Sequence, residues 1–225
     1  MLRALRALST VLIVAGALLL LDAGVTLAWQ EPVSALLARI EQDKLSGQLG
    51  TIERAAPTPL QAKALRSLAS DTRKIAFLAR IARRTAKTGE PIGRIHIPKI
   101  GADFVVVQGT DGASLRKGPG HYPGTSFPGL GATVAIAGHR TTYLAPFRNV
   151  NDLKPNDQIV LEMPYGRFTY AVEKTQIVPP TQVSVTRDVG YERLVLSACH
   201  PLYSAAKRII VFARLRSEQP RGAAR

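Results

Sequence analysis

The sequence predicts a mostly β domain, a closed barrel or a sandwich, carried behind one membrane-crossing helix and a helical segment. Three observations carry this expectation. A mostly apolar run from Ala7 to Trp29 opens the chain. An Ala/Leu/Arg/Lys-rich stretch follows to about residue 88, and its apolar residues keep roughly helical spacing. Past Ile92 the texture changes to short apolar runs between Gly and Pro, the pattern of many short strands in an all-β domain.

The apolar run is about 23 residues long, near the ~20 that cross a bilayer. Arg3 and Arg6 precede it, so the positive-inside rule keeps the N-terminus cytoplasmic and sends the remainder outside. Trp29 suits the far interface. Asp22 lies toward the outer half, where a charge costs less than at the bilayer centre. A cleavable signal peptide competes with the uncleaved anchor, with Thr26-Leu27-Ala28 as its small-x-small site. Both readings place the domain outside the cytoplasm.

Pro57 and Pro59 split the helical stretch into two segments. In the second, Leu60, Ala64, Leu68, Ile75, Leu78 and Ile81 recur at helical intervals. Residues 1–30 therefore read as cytoplasmic N-terminus and anchor, 31–88 as a stalk or a helix packed on the domain, and 89–216 as the β domain. Residues 217–225 read as a disordered tail. Expected strands are Arg94–Ile97, Asp103–Val107, Thr133–Ala137, Gln158–Met163 and Arg167–Lys174, then a run ending near Cys199 and another from Arg208. Pro164-Tyr165-Gly166 is a hairpin turn. Ser114 to Leu130 reads as a loop dense in Gly and Pro.

The formal net charge is +14, from 30 Lys+Arg against 16 Asp+Glu. A balance that basic suits an anionic surface: nucleic acid, anionic lipid or an acidic wall polymer. Zinc-finger spacing and RNA-binding aromatic signatures are absent, so no nucleic-acid partner is expected. A single cysteine forbids an internal disulfide and a multi-Cys metal site. Without Asp/Glu at calcium-loop spacing, no metal and no cofactor are expected.

That cysteine, Cys199, sits at the end of Leu194-Val195-Leu196-Ser197-Ala198-Cys199-His200-Pro201. Pro201 stops the strand, since it has no N–H to give a ladder. The next run alternates, with Ile209, Val211 and Ala213 on one face and Arg208, Ile210 and Phe212 on the other. Antiparallel pairing would set Cys199 across from Arg208. A guanidinium beside a thiol favours the nucleophilic thiolate and can stabilise an oxyanion. A thiolate nucleophile also needs a proton shuttle. Of the four histidines, His139 stands out, following the apolar strand and Gly138 at a strand end over a barrel mouth. His200 follows Cys199 and points away from it, His96 lies inside an alternating strand, and His121 lies in the Gly/Pro loop, where it could line a site.

Three blocks now fall in order: Gly120-His121-Tyr122-Pro123-Gly124-Thr125, then Val134-Ala135-Ile136-Ala137-Gly138-His139-Arg140-Thr141-Thr142-Tyr143, then Leu196-Ser197-Ala198-Cys199-His200-Pro201 with Arg208. Together they resemble a sortase of the class E type, over about Pro91 to Leu215. Ser197-Ala198 replaces the family's usual threonine-rich approach to the cysteine. The resemblance implies an eight-stranded β-barrel outside the membrane and a cysteine transpeptidase. It implies Cys199 as nucleophile, His139 as general acid/base and Arg208 as the substrate- and oxyanion-stabilising group. Tyr122, His121 and Ala198 are the expected substrate-binding positions. Implied partners are secreted proteins with C-terminal LPxTG- or LAxTG-like sorting signals, and an amine from a peptidoglycan precursor or a pilin. Another extracytoplasmic cysteine peptidase or L,D-transpeptidase, or an anchored binding module without activity, are the competing readings.

Overall fold

Alternation decides which way each strand faces, and the apolar half of each strand builds the core. The computed structural model describes residues 2–28 and 32–225. Its strands are β1 (Pro91–Ile97), β2 (Ala102–Gln108), β3 (Gly120–His121), β4 (Val134–Ala137), β5 (Gln158–Met163), β6 (Gly166–Val178), β7 (Arg193–His200) and β8 (Lys207–Pro220). They close into a barrel in the order β1-β2-β3-β4-β7-β8-β6-β5. Every second residue enters it: Ile95 and Ile97, Val134 and Ile136, Ile159 and Leu161, Phe168 and Tyr170, Leu194 and Leu196, Ile209 and Val211. A smaller apolar patch covers the outside of neighbouring strands, formed by Ala135, Val178, Val195, Ile210 and Phe212.

Seven of the strands fall where alternation places them. The eighth, β3, lies in the Gly/Pro segment expected as a loop, and is only two residues long. Gly120 makes it possible, because a Cβ there would come within 2.1 Å of the Gly109 carbonyl oxygen. β3 runs parallel to β2 and antiparallel to β4. Without it the barrel would not close between those two strands.

The expected disordered tail is instead ordered. β8 pairs with β6 as far as Gly166↔Pro220, and a following turn, Gly222–Ala224, buries Ala224 in the main core. Arg221 ties this end to Glu162 at 3.2 Å and Glu53 at 3.7 Å. Polar composition misled here because backbone pairing, rather than side-chain burial, holds most of the segment.

Four helices precede the barrel: α1 (Leu2–Ala28), α2 (Pro32–Arg54), α3 (Pro59–Ser67) and α4 (Asp71–Thr85). A fifth, α5 (Gly112–Lys117), sits between β2 and β3. Within α1, Leu5–Val25 is 21 residues long with mean hydropathy 2.2, long and apolar enough to cross a membrane. Trp29 lies outside the described residues. Helices α2 and α4 pack on the barrel. α2 seats Leu45 and Leu49 on Val105 and Val107. Its Gln42 amide completes the edge of β2, accepting from Val105 N at 2.7 Å and donating to Val105 O at 3.1 Å. A second break, at residues 68–70, separates α3 from α4, where the Ser70 side chain caps α4 by accepting from Arg73 N. α4 then plugs the main core with Ile75 and Ala79.

That plug has a measurable weight. Ile75→Ala should cost about 3 kcal/mol, as buried Ile truncations do, read from the urea midpoint of the full chain in detergent. A loss below about 0.5 kcal/mol, typical of surface sites, would mean α4 is not part of the cooperative core.

Candidate active site

On β7, Leu194, Leu196 and Ala198 point into the barrel core, so Val195, Ser197 and Cys199 take the outer face. Cys199 is half-buried. β8 pairs antiparallel with β7 and sets Arg208 directly opposite Cys199. Cross-strand partners share a face. Arg208 therefore emerges beside Cys199, above the outer patch that Ile210, Phe212, Val195 and Ala135 form. Its Nη1 donates to Ala205 O at 2.9 Å and Lys207 O at 3.0 Å. Two carbonyls of the β7–β8 turn thus aim the guanidinium, and among the described residues it has no acidic partner.

The histidine arrives from the other side. β4 runs parallel to β7 with Ala137 level with Ser197, and Gly138 N donates to Ser197 O at 3.0 Å. Two residues on, His139 and Cys199 reach the same rim of adjacent strands, whose spacing is about 4.8 Å. Gly138 is required less for a turn than for room: a Cβ would meet the buried Phe147 ring at 2.5 Å. The His139 ring lies 5.2 Å from that of Tyr143. Burial lowers its proton affinity below the ordinary value.

This geometry moves the site. It lies on the outer wall of the sheet at its rim, rather than over the barrel mouth. Apolar side chains fill the interior at that level, and Ala198, 3% exposed, is one of them. The expected substrate contact at Ala198 is therefore corrected, since its side chain lies on the wrong face. His121 is corrected too. It is 1% exposed, with Nδ1 2.9 Å from Gln108 Oε1 and Nε2 2.8 Å from Ser126 O. It braces β3 from inside the fold and lines no surface. Tyr122, the next residue, packs against the outer patch together with Val185. Arg193 pins that second wall by donating to Val185 O at 3.0 Å and Arg187 O at 2.9 Å. His200 lies 3.4 Å from Arg140 Nη1, and His96 faces Asp103 across β1 and β2 at 3.9 Å. Sequence reasoning quoted Arg140 in the His139 block but gave it no role of its own. Its place directly after His139 was the available signal.

A model of the sortase domain matches residues 95–216. The chain belongs to the sortase family. Sortases are cysteine transpeptidases. Sortase D of Bacillus subtilis (strain 168) is 37% identical over 132 residues, which cover 57% of this chain and 65% of that protein. Sortase SrtE1 of Streptomyces coelicolor is 30% identical over 149 residues, 59% of this chain and 42% of that one. The chain thus spans less than two thirds of either relative. Among solved structures, sortase E from Streptomyces avermitilis superposes with a TM-score of 0.55 at 34% identity, covering 62% of this chain and 99% of that one. Sortase E1 from S. coelicolor, solved with a tripeptide in its active site, gives 0.57 at 30% identity, covering 60% and 94%. Class E, the type the motifs resemble, is consistent with these sortases.

The buried His121 of this sortase carries a pH signature. Desolvation, with help from the Arg83 charge, lowers its pKa to about 4, against a weaker opposing effect from Ser126 O. The unfolded chain binds this proton near pH 6.5, so unfolding takes up a proton between those values. The stability His121 supports is fully present above about pH 6.5 and lost as pH falls toward 4, by about 3 kcal/mol. Urea midpoints at pH 7 and 4.5 should show a smaller acid loss for His121→Gln than for the wild type. Equal losses would contradict a neutral, buried His121.

Proposed function

We propose that this chain is a membrane-anchored sortase that cleaves an LPxTG- or LAxTG-like sorting signal between Thr and Gly and transfers the protein to an amine. The observation that carries the reading is the register Cys199↔Arg208 on one outer face, with His139 closing in from the parallel neighbour. Cys199 Sγ, as thiolate, attacks the threonine carbonyl carbon and its C=O electrons move onto oxygen. Arg208 meets that oxyanion with the N–H groups that its two carbonyl contacts leave over. The C–N bond breaks as protonated His139 gives its proton to the leaving glycine nitrogen. Desolvation makes the His139 imidazolium a readier donor. An incoming amine then attacks the thioester, neutral His139 takes its proton, and Sγ leaves.

The acceptor amine belongs to a peptidoglycan precursor or a pilin lysine. The outer apolar patch against which Tyr122 and Val185 pack suits the Leu and Pro or Ala of the signal. Leu5–Val25 supplies the single-pass anchor, with the N-terminus in the cytoplasm and the barrel outside, where sorting-signal proteins emerge.

The full chain in detergent, given a fluorogenic LAxTG peptide and a small amine, should cleave the peptide and form the amide. Cys199→Ala should do neither. Arg208→Lys should lose about a hundredfold or more in kcat, the usual loss for an oxyanion donor, since a point charge does not replace a planar fork. Cleavage surviving in Cys199→Ala would remove Cys199 as nucleophile, and full activity in Arg208→Lys would remove the role given to Arg208.

A further inference from the structure

The ladder that brings His139 to Cys199 ends before either residue. Its last bond is Gly138 N to Ser197 O. Beyond it the two strand ends need another tie, and Arg140 provides one. Arg140 is only 4% exposed, rare for a guanidinium. Nε and Nη2 donate to Arg148 O at 3.1 and 2.9 Å, and Nη2 also donates to Asn151 Oδ1. Nη1 points the other way, to Cys199 O at 3.4 Å and His200 Nδ1 at 3.4 Å. A single rigid fork therefore joins the loop after His139 to the strand end that carries the thiol.

We propose that Arg140 is a positioning residue, which fixes His139 and Cys199 relative to each other past the end of the ladder. A buried arginine needs such a reason to be kept. Its carbonyl and amide acceptors satisfy it structurally, but only the Cys199 and His200 contacts connect it to the chemistry. The inference rests on the reading of Cys199 as nucleophile and His139 as acid/base.

The test uses the full chain in detergent. Arg140→Lys keeps the charge but does not span both carbonyl groups, so kcat on the LAxTG peptide should fall about tenfold or more while KM moves less than about twofold. Asn151→Ala, at an exposed position, removes one acceptor and should lower kcat about two- to fivefold with KM unchanged. Wild-type kcat in Arg140→Lys, or a loss confined to KM, would overturn the proposal. If Arg140→Lys shows no cooperative melt, an unchanged kcat in Asn151→Ala overturns it instead. Cys199 is the sole thiol, so iodoacetamide labelling reads it without substrate. Arg140→Gln, which loses the contact with Cys199 O, should change the rate of labelling at pH 7, and an unchanged rate would overturn a tie between Arg140 and the strand end that carries the thiol. A wild type that labels normally yet cleaves no sorting-signal peptide would sink the functional reading alone, and the labelling rate would still decide Arg140.

Discussion

The pairing of β7 with β8 holds both the core and the chemistry, because the two share one set of strands with a period of two. Leu194, Leu196 and Ala198 face Ile209, Val211 and Ala213 within the barrel. Cys199 and Arg208 are fixed outside as a consequence. A slip of one residue would turn every side chain over. It would push the Arg208 guanidinium into an apolar interior, and burying an unpaired charge there costs far more than the pairing gains. The core thus enforces the site's register without touching substrate.

The loops that complete the site are held by burial as well. Tyr143, Leu144 and Ala145 follow His139 with positive φ values of 51°, 63° and 42°, a conformation that costs L-residues about 1–2 kcal/mol each. Phe147 and Val150, fully buried in the main core just beyond, offset that strain, and the Arg140 fork fastens the same loop to β7. On the far side, Arg193 clamps the connection that carries Val185 onto the outer patch. Packed helices matter too: α4 closes one part of the barrel core, and α2 satisfies the backbone edge of β2.

Long alternating runs made most of the barrel legible. The opposition of Cys199 and Arg208 followed from counting residues on either side of Pro201. The resemblance to sortases supplied the strand count. What escaped was held by groups that composition does not display. β3 is two residues whose pairing depends on the absence of a Cβ at Gly120. The tail is polar and pairs through its backbone. His121 looked accessible because Gly and Pro surround it, yet its ring turns inward to Gln108 and Ser126. Ala198 adjoins Cys199 in sequence but its side chain lies on the other face of the sheet, which alternation itself could have shown. Arg140 stands beside His139 in the sequence, but that its one side chain reaches both strand ends shows only in three dimensions.

The most direct measurement is the intact mass of the full chain mixed with an LAxTG peptide and no added amine. A covalent adduct equal to the peptide up to and including its threonine should form on Cys199, and hydroxylamine should release it, as a thioester requires. Peptide cleavage with no such adduct at Cys199, under conditions that stop before hydrolysis, would contradict a thiolate on the outer wall of this barrel as the group that attacks.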